Sequence, residues 1–156
     1  MSERLKQRFK QLKFISSMFS MAMDEFNNVM GPETIQTIFR LIGERQGEAV
    51  EKRLREKYKI DNWTPELFAE KVVNDVIDPA VGVGASEIKF NSNEISVIIK
   101  DCPFKRAGIK IGNKFYCTYT EGLIETIAKK ALDLSEFNSI KLRAIDNCDC
   151  SFLLKV

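Results

Sequence analysis

The sequence predicts an α+β domain, with N-terminal helices packed on an antiparallel sheet made of two hairpins and a further helix between the hairpins. Apolar residues recur at three- and four-residue steps through the first 80 residues, then at every second residue from about residue 87. The change of period falls at Val81-Gly82-Val83-Gly84, a flexible glycine-rich link between the halves. A chain of 156 residues is long enough to bury a core without staples. Residues 1–156 therefore read as one domain, with a helical half at 1–80 and a sheet and cysteine half at 84–156.

Residues 3 to about 30 form the first predicted helix. Leu5, Phe9, Leu12, Phe19, Met23, Phe26 and Met30 make one apolar seam, with Ser16 in its single polar slot. Phe14, Ile15, Met18 and Ala22 widen the apolar surface toward a second face. A helix with two such faces packs on its own domain and on a partner; a purely internal core helix is the simpler alternative. Two copies meeting across a two-fold axis would cover the extra stripe, so a homodimer through this helix is expected.

Gly31-Pro32 ends that helix and starts a second, with proline at a favoured first-turn position. Ile35, Ile38, Phe39, Ile42, Val50 and Leu54 carry the helical period to about Lys57. Gly43 and Gly47 sit one turn apart and cost helix propensity. Close approach by another element or by a ligand would explain both; simple tolerance of glycine in a helix well supported by packing is the alternative. Asn62-Trp63-Thr64-Pro65 reads as a loop, with Thr64 as N-cap and Trp63 as a packing anchor. The third helix carries Leu67, Phe68, Val72 and Val76 and is expected to stop at Asp78-Pro79.

Residues 87–90 and 94–100 form the first predicted hairpin, turning at Asn91-Ser92-Asn93. Ile95, Val97 and Ile99 share one face of it, and the missing amide of Pro103 ends the ladder. Residues 110–132 read as helix in two pieces, parted near 120–122. Residues 139–145 and 150–156 form the second hairpin, turning at Asp146-Asn147.

Composition excludes several functions. With 44% hydrophobic and 29% charged residues the chain is of ordinary globular type. A net charge of +2 is too balanced to argue for nucleic acid as the main partner. Met1-Ser2-Glu3-Arg4 leads straight into a charged helix, so no signal peptide is visible. No apolar run approaches the roughly twenty residues of a membrane span. A cytoplasmic location without membrane contact is expected, where thiols stay reduced. Histidine is absent, which removes histidine-dependent triads, histidine-ligated haem and mixed Cys/His zinc sites. No G-x-G-x-x-G or G-x-x-x-x-G-K-[ST] pattern supports a nucleotide cofactor.

The cysteines all lie in the last third: Cys102, Cys117, Cys148 and Cys150. Four thiolates have the chemistry to close a tetrahedral zinc site. Their spacing is not the paired C-x-x-C pattern that stands alone as a zinc signature. Separate thiols packed as small hydrophobes, or a disulfide pair, are the alternatives. Cys148 and Cys150 share one face of an extended segment, with Phe152, Leu154 and Val156 pointing the same way into the core.

Cys102-Pro103-Phe104, Cys117 followed by Gly122, and a terminal strand bearing cysteine before Ser151-Phe152 resemble the 4-vinyl reductase-like (hydrocarbon-binding) domain family. Its members include small archaeal proteins labelled hydrocarbon-binding and the phenol-sensing domains of bacterial regulators. The resemblance spans about residues 84–156 and extends more weakly through Gly43 and Gly47. It implies a helix-rich α+β fold, often dimeric, with an enclosed apolar pocket and in several members a structural zinc. Cys117 matches the family's helix cysteine and Cys150 its terminal-strand cysteine. The family's longer loop is shortened here to Cys148-Asp149-Cys150 and its glutamate is missing, so Cys102 and Cys148 stand as inferred replacements.

The implied function is non-enzymatic binding of an apolar or aromatic small molecule beside a structural zinc held by Cys102, Cys117, Cys148 and Cys150. The candidate lining combines Phe104, Phe115, Tyr116 and Tyr119 with the Gly43/Gly47 face of the second helix, where the glycines leave space for ligand. The alternative is an enzyme using a cysteine nucleophile or an iron–sulfur centre. For it, Cys117 has Glu121 and Lys114 nearby in sequence but no histidine as base.

Overall fold

The computed structural model describes residues 2–91, 93–106, 109, 115–141 and 149–156. Helix α1 (Glu3–Met30) starts where Leu5 N donates to the Ser2 hydroxyl at 3.3 Å, with Glu3 in the first turn facing the positive end of the helix dipole. It ends at Gly31, whose φ of 83° reverses the chain. Pro32 then opens α2 (Pro32–Tyr58), which closes on Arg55 and Lys57 in its last turn. Helix α3 (Pro65–Val72) is capped by Thr64, whose hydroxyl accepts from Leu67 N at 3.2 Å. Trp63 anchors the preceding loop: its indole N–H donates to Glu51 at 2.8 Å and its ring meets Phe68 edge-on.

Asp78-Pro79 does not stop the helical path as the sequence predicts. A wide π-helical turn at Val73–Ile77 carries the chain into α4 (Asp78–Val81). There Asp78 N donates to Val73 O, five residues back, and the widened turn makes room for the Pro79 ring. The path ends at Gly82, and Ala85 N closes a turn on Gly82 O at 3.1 Å. The predicted flexible link is thus a hydrogen-bonded turn.

Four strands form an antiparallel sheet in the order β1-β2-β4-β3: β1 (Ser86–Phe90), β2 (Glu94–Ile99), β3 (Glu136–Lys141) and β4 (Cys150–Lys155). Strand β4 zips the two hairpins together, with Val97 opposite Phe152 on one side and Phe137 opposite Leu154 on the other. Ile95, Val97, Ile99, Phe152 and Leu154 are buried, as the alternation requires. Val156 lies past the end of the ladder and is 38% exposed, so it does not follow them into the core. The Asn91 carboxamide tightens the first hairpin by accepting from Asn93 N and Glu94 N. Ser92, the predicted helix at 110–114 and the predicted turn at Asp146-Asn147 fall outside the described residues.

A short α5 (Pro103–Arg106) follows β2, and α6 (Phe115–Ala131) runs without a break. Gly122 is not the interruption the sequence predicts. A Cβ built there would lie 2.5 Å from Arg40 O, so the glycine lets α2 approach. Helices α2 and α6 run in the same direction, as Thr118 bonding to Gln36 O and Lys130 pairing with Glu48 require. Between them Arg40 pairs with Glu125, which also takes Lys129 at 2.6 Å. Burial pushes Glu125 up, but the hydrogen bonds from Lys129 and Arg40 outweigh it and hold the carboxyl below its usual range. A depressed folded value means the stabilisation is present above the unfolded glutamate value of about 4.3 and is lost as pH falls through the folded one. Glu125→Gln is expected to flatten the acid limb of a melting-temperature series; an unchanged limb counts against the pair.

The main core joins α2, α3, α6 and the sheet through Leu54, Phe68, Ile127 and Phe152. A second, smaller cluster lies under the C-terminal part of α1, built on Met23, Ile35, Phe115 and Tyr116. The described residues contain no helix long and apolar enough to cross a membrane.

Candidate functional site

The two clusters do not close on each other completely. Between them lies a cavity of about 850 Å³, walled by the C-terminal half of α1, by α2, by the first half of α6, by residues 75–81 and by the end of the sheet. Its walls are mostly apolar, and its open side is framed by half-exposed side chains such as Phe26 (51%) and Ile42 (47%). The pocket is a groove with a mouth, where the resemblance implies an enclosed one.

The predicted aromatic group is present. Phe104 stacks on Tyr116 with centroids 4.4 Å apart and meets Tyr119 edge-on at 6.1 Å. Phe39 closes the group from α2, 5.4 Å from Tyr116. Phe104, Tyr116 and Tyr119 line the cavity; Phe115 does not, because its side chain is turned into the smaller cluster against Phe39. Burial raises the Tyr116 phenol above its ordinary value, with the Asp24 carboxylate adding to it, and burial alone raises Tyr119. Both phenols stay neutral hydrogen-bonding groups at physiological pH.

Gly43 and Gly47 lie outside the lining, and the space they were expected to leave for a ligand is filled by α6. A Cβ at Gly43 would stand 2.2 Å from Tyr119 O, and one at Gly47 would stand 2.8 Å from both Leu123 O and Thr126 Cβ. A larger side chain at either position would meet this helix contact rather than the ligand space. Of the explanations the sequence left open, the structure shows close approach by another element, α6.

Cys102, Cys117 and Cys150 all border the cavity, the first two buried and the third half-buried. Cys102 and Cys150 reach the same cavity because β2 and β4 are paired there, with Ile99 opposite Cys150, and Cys117 reaches it from the first half of α6. Asp101 accepts from Cys102 N at 2.8 Å and fixes the turn after β2. Among the described residues no three cysteine, aspartate or glutamate side chains are grouped so as to hold a metal ion. Cys148 lies outside the described residues, and with it part of the proposed zinc set.

Sequence reasoning missed the α1 side of the groove and chose another face of α2, leaving out above all Met23, Met30, Ile38 and Ile42, and the polar residues Gln46, Arg53 and Asp75. The signal was present as apolar periodicity on two consecutive helices, but it reads equally as plain core.

No family model matches the sequence, and no curated protein matches it significantly. Among solved structures the chain is similar to the trafficking protein particle complex subunit 3 from Naegleria fowleri, a structure described as covalently bound to palmitic acid. The TM-score is 0.53 at 14% identity, over 92% of this chain and 95% of that one. At that identity the two chains share a fold, an α+β arrangement over almost their whole lengths.

Proposed function

We propose that this chain is a non-enzymatic binding module for an apolar small molecule, held in the groove between α1, α2, α6 and the end of the sheet. The observation that carries the reading is the cavity itself. Its volume of about 850 Å³ lies within the range of small-molecule sites, and its apolar walls hold few polar groups. The fold neighbour solved with palmitic acid supports an acyl chain as one class of ligand. The resemblance to the 4-vinyl reductase-like family supports the same kind of pocket.

Thermal unfolding with long-chain alcohols and alkyl phenols tests this. A ligand at 100 times its Kd stabilises by about 2.7 kcal/mol, which raises the melting point of a chain this size by roughly 5–10 °C. Ala80→Trp is expected to abolish that shift, because Ala80 lines the groove from an exposed turn and the indole fills the space without displacing core. Absence of any shift across the series overturns the reading.

The three thiols at the cavity wall favour a second, covalent version, in which an acyl chain is retained as a thioester. The cysteine sulfur attacks the carbonyl of a small-molecule acyl thioester, and the donor thiol leaves with the proton. Intact mass after incubation with such a donor separates the two, since only the covalent version adds one acyl group. The zinc site of Cys102, Cys117, Cys148 and Cys150 stays a proposal that metal analysis of the purified chain decides. The module is also proposed to be a homodimer through α1, on the strength of that helix's exposed apolar surface.

A further inference from the structure

Resting on the groove reading above, we propose that the ligand is an elongated amphiphile with a carboxylate head, its chain along α2 and its head at Arg53. The groove follows one stripe of that helix, through Ile35, Ile38, Ile42, Gln46, Val50 and Arg53. At the helical rise, residues 35 to 53 span about 27 Å. One acyl chain of a lipid covers about 15 Å, half the hydrocarbon core of a bilayer, so a single extended chain fits within the stripe.

Polarity along the stripe is graded. At the Ile35 end the walls are Met30, Phe39, Phe104 and Tyr116, and at the other end Gln46, Arg53 and Asp75 border the groove. Asp75 is already satisfied: it accepts from Lys57 at 2.5 Å and from the Tyr58 hydroxyl at 2.9 Å. The hydrogen bond from Lys57 holds it below the ordinary carboxylate range despite some desolvation, and Arg53 adds to the effect. Lys57 and Lys71 both lie over the Tyr58 ring, at 4.8 and 4.4 Å from its centroid, and are paired with Asp75 and Glu70, so Arg53 is the cation that borders the groove among the described residues. Arg53 itself makes no ion pair among the described residues.

A guanidinium in that position offers a planar fork of donors suited to a carboxylate. Asp75 feels its charge but has its hydrogen bonds from Lys57 and Tyr58, so the Arg53 fork is open to a carboxylate among the described residues. The residue is exposed at the rim, so the head group keeps part of its water while the chain loses its own, and the burial penalty for charge is avoided. Asp101, the other acid at the groove, lies with the cysteine end and is engaged with Cys102 N.

The test uses the full chain preloaded with an apolar fluorophore, displaced by dodecanoate, dodecan-1-ol or dodecylamine below their micelle concentrations. Dodecanoate is expected to bind about tenfold tighter than the alcohol, the scale of a charge-assisted hydrogen bond, with the amine weakest. Added salt should shrink that advantage without moving the alcohol. Arg53→Gln is expected to remove the preference of the acid over the alcohol, with helix content by circular dichroism equal to that of the parent chain showing that the variant is folded; Arg53→Lys retains part of the preference. Equal binding of acid and alcohol, a preference for the amine, or a preference that survives Arg53→Gln overturns the head-group assignment while the groove reading stands. Displacement by none of the three overturns both.

Discussion

Replacing Gly43 with alanine is expected to destabilise the chain by about 2–3 kcal/mol, the cost of overpacking a close contact. In an ordinary exposed helix the same change gains up to about 1 kcal/mol in propensity. Here the added methyl would meet Tyr119 O at 2.2 Å, and the atom in the way is backbone, which has no rotamer to move to. Gly122 sits on the reverse side of the same contact, 2.5 Å from Arg40 O, so neither helix has slack to give. Because α6 also carries Tyr116 and Tyr119 into the groove, the variant should weaken ligand binding along with stability. Urea unfolding measures the first effect as a lower midpoint at unchanged slope. A midpoint equal to that of the parent chain means the helices are not this close.

Light scattering is expected to give the mass of a dimer for the full chain, and that of a monomer once Phe9→Glu and Leu12→Glu are combined. Along α1 only Met23 is buried, while Phe9, Leu12 and Phe14 are 64%, 65% and 72% exposed. Single exposed apolar residues are ordinary, but a continuous run along several turns of one helix is the mark of an interaction surface. The groove opens on the same side, at Phe19, Phe26 and Met30, so a second copy seated on α1 would also shelter bound ligand. Two glutamates in each copy would face like charges across a two-fold contact. Helix content by circular dichroism should hold, since these side chains are not buried in the chain's own core. A monomeric parent chain, or a dimer that survives both glutamates, removes α1 from the interface.

Local physics made much of the fold legible. The first helix ends and the second begins where they were expected, because Gly31 and Pro32 act through their own backbone chemistry. The buried face of β2 follows from alternation alone. The third helix ran past its expected stop because a π-helical turn upstream relieved the proline, and that turn leaves no mark in hydrophobic period. Residues 120–122 looked like a helix break because glycine weakens a helix in isolation, whereas in the molecule Gly122 is what lets α2 reach α6.

The sequence by itself determined which segments alternate at 3.6 and which at 2, hence the α+β class and the two hairpins. Tertiary structure alone decided that Gly43 and Gly47 serve a helix contact, that Phe115 packs as core, and that α1 and α2 wall the groove with Arg53 at one end. The physical reason is that periodicity reports which side of an element is apolar and says nothing about what fills the space opposite. Whether that space holds a backbone, a side chain or a cavity depends on how elements far apart in the chain meet, and those distances exist only once the chain has folded.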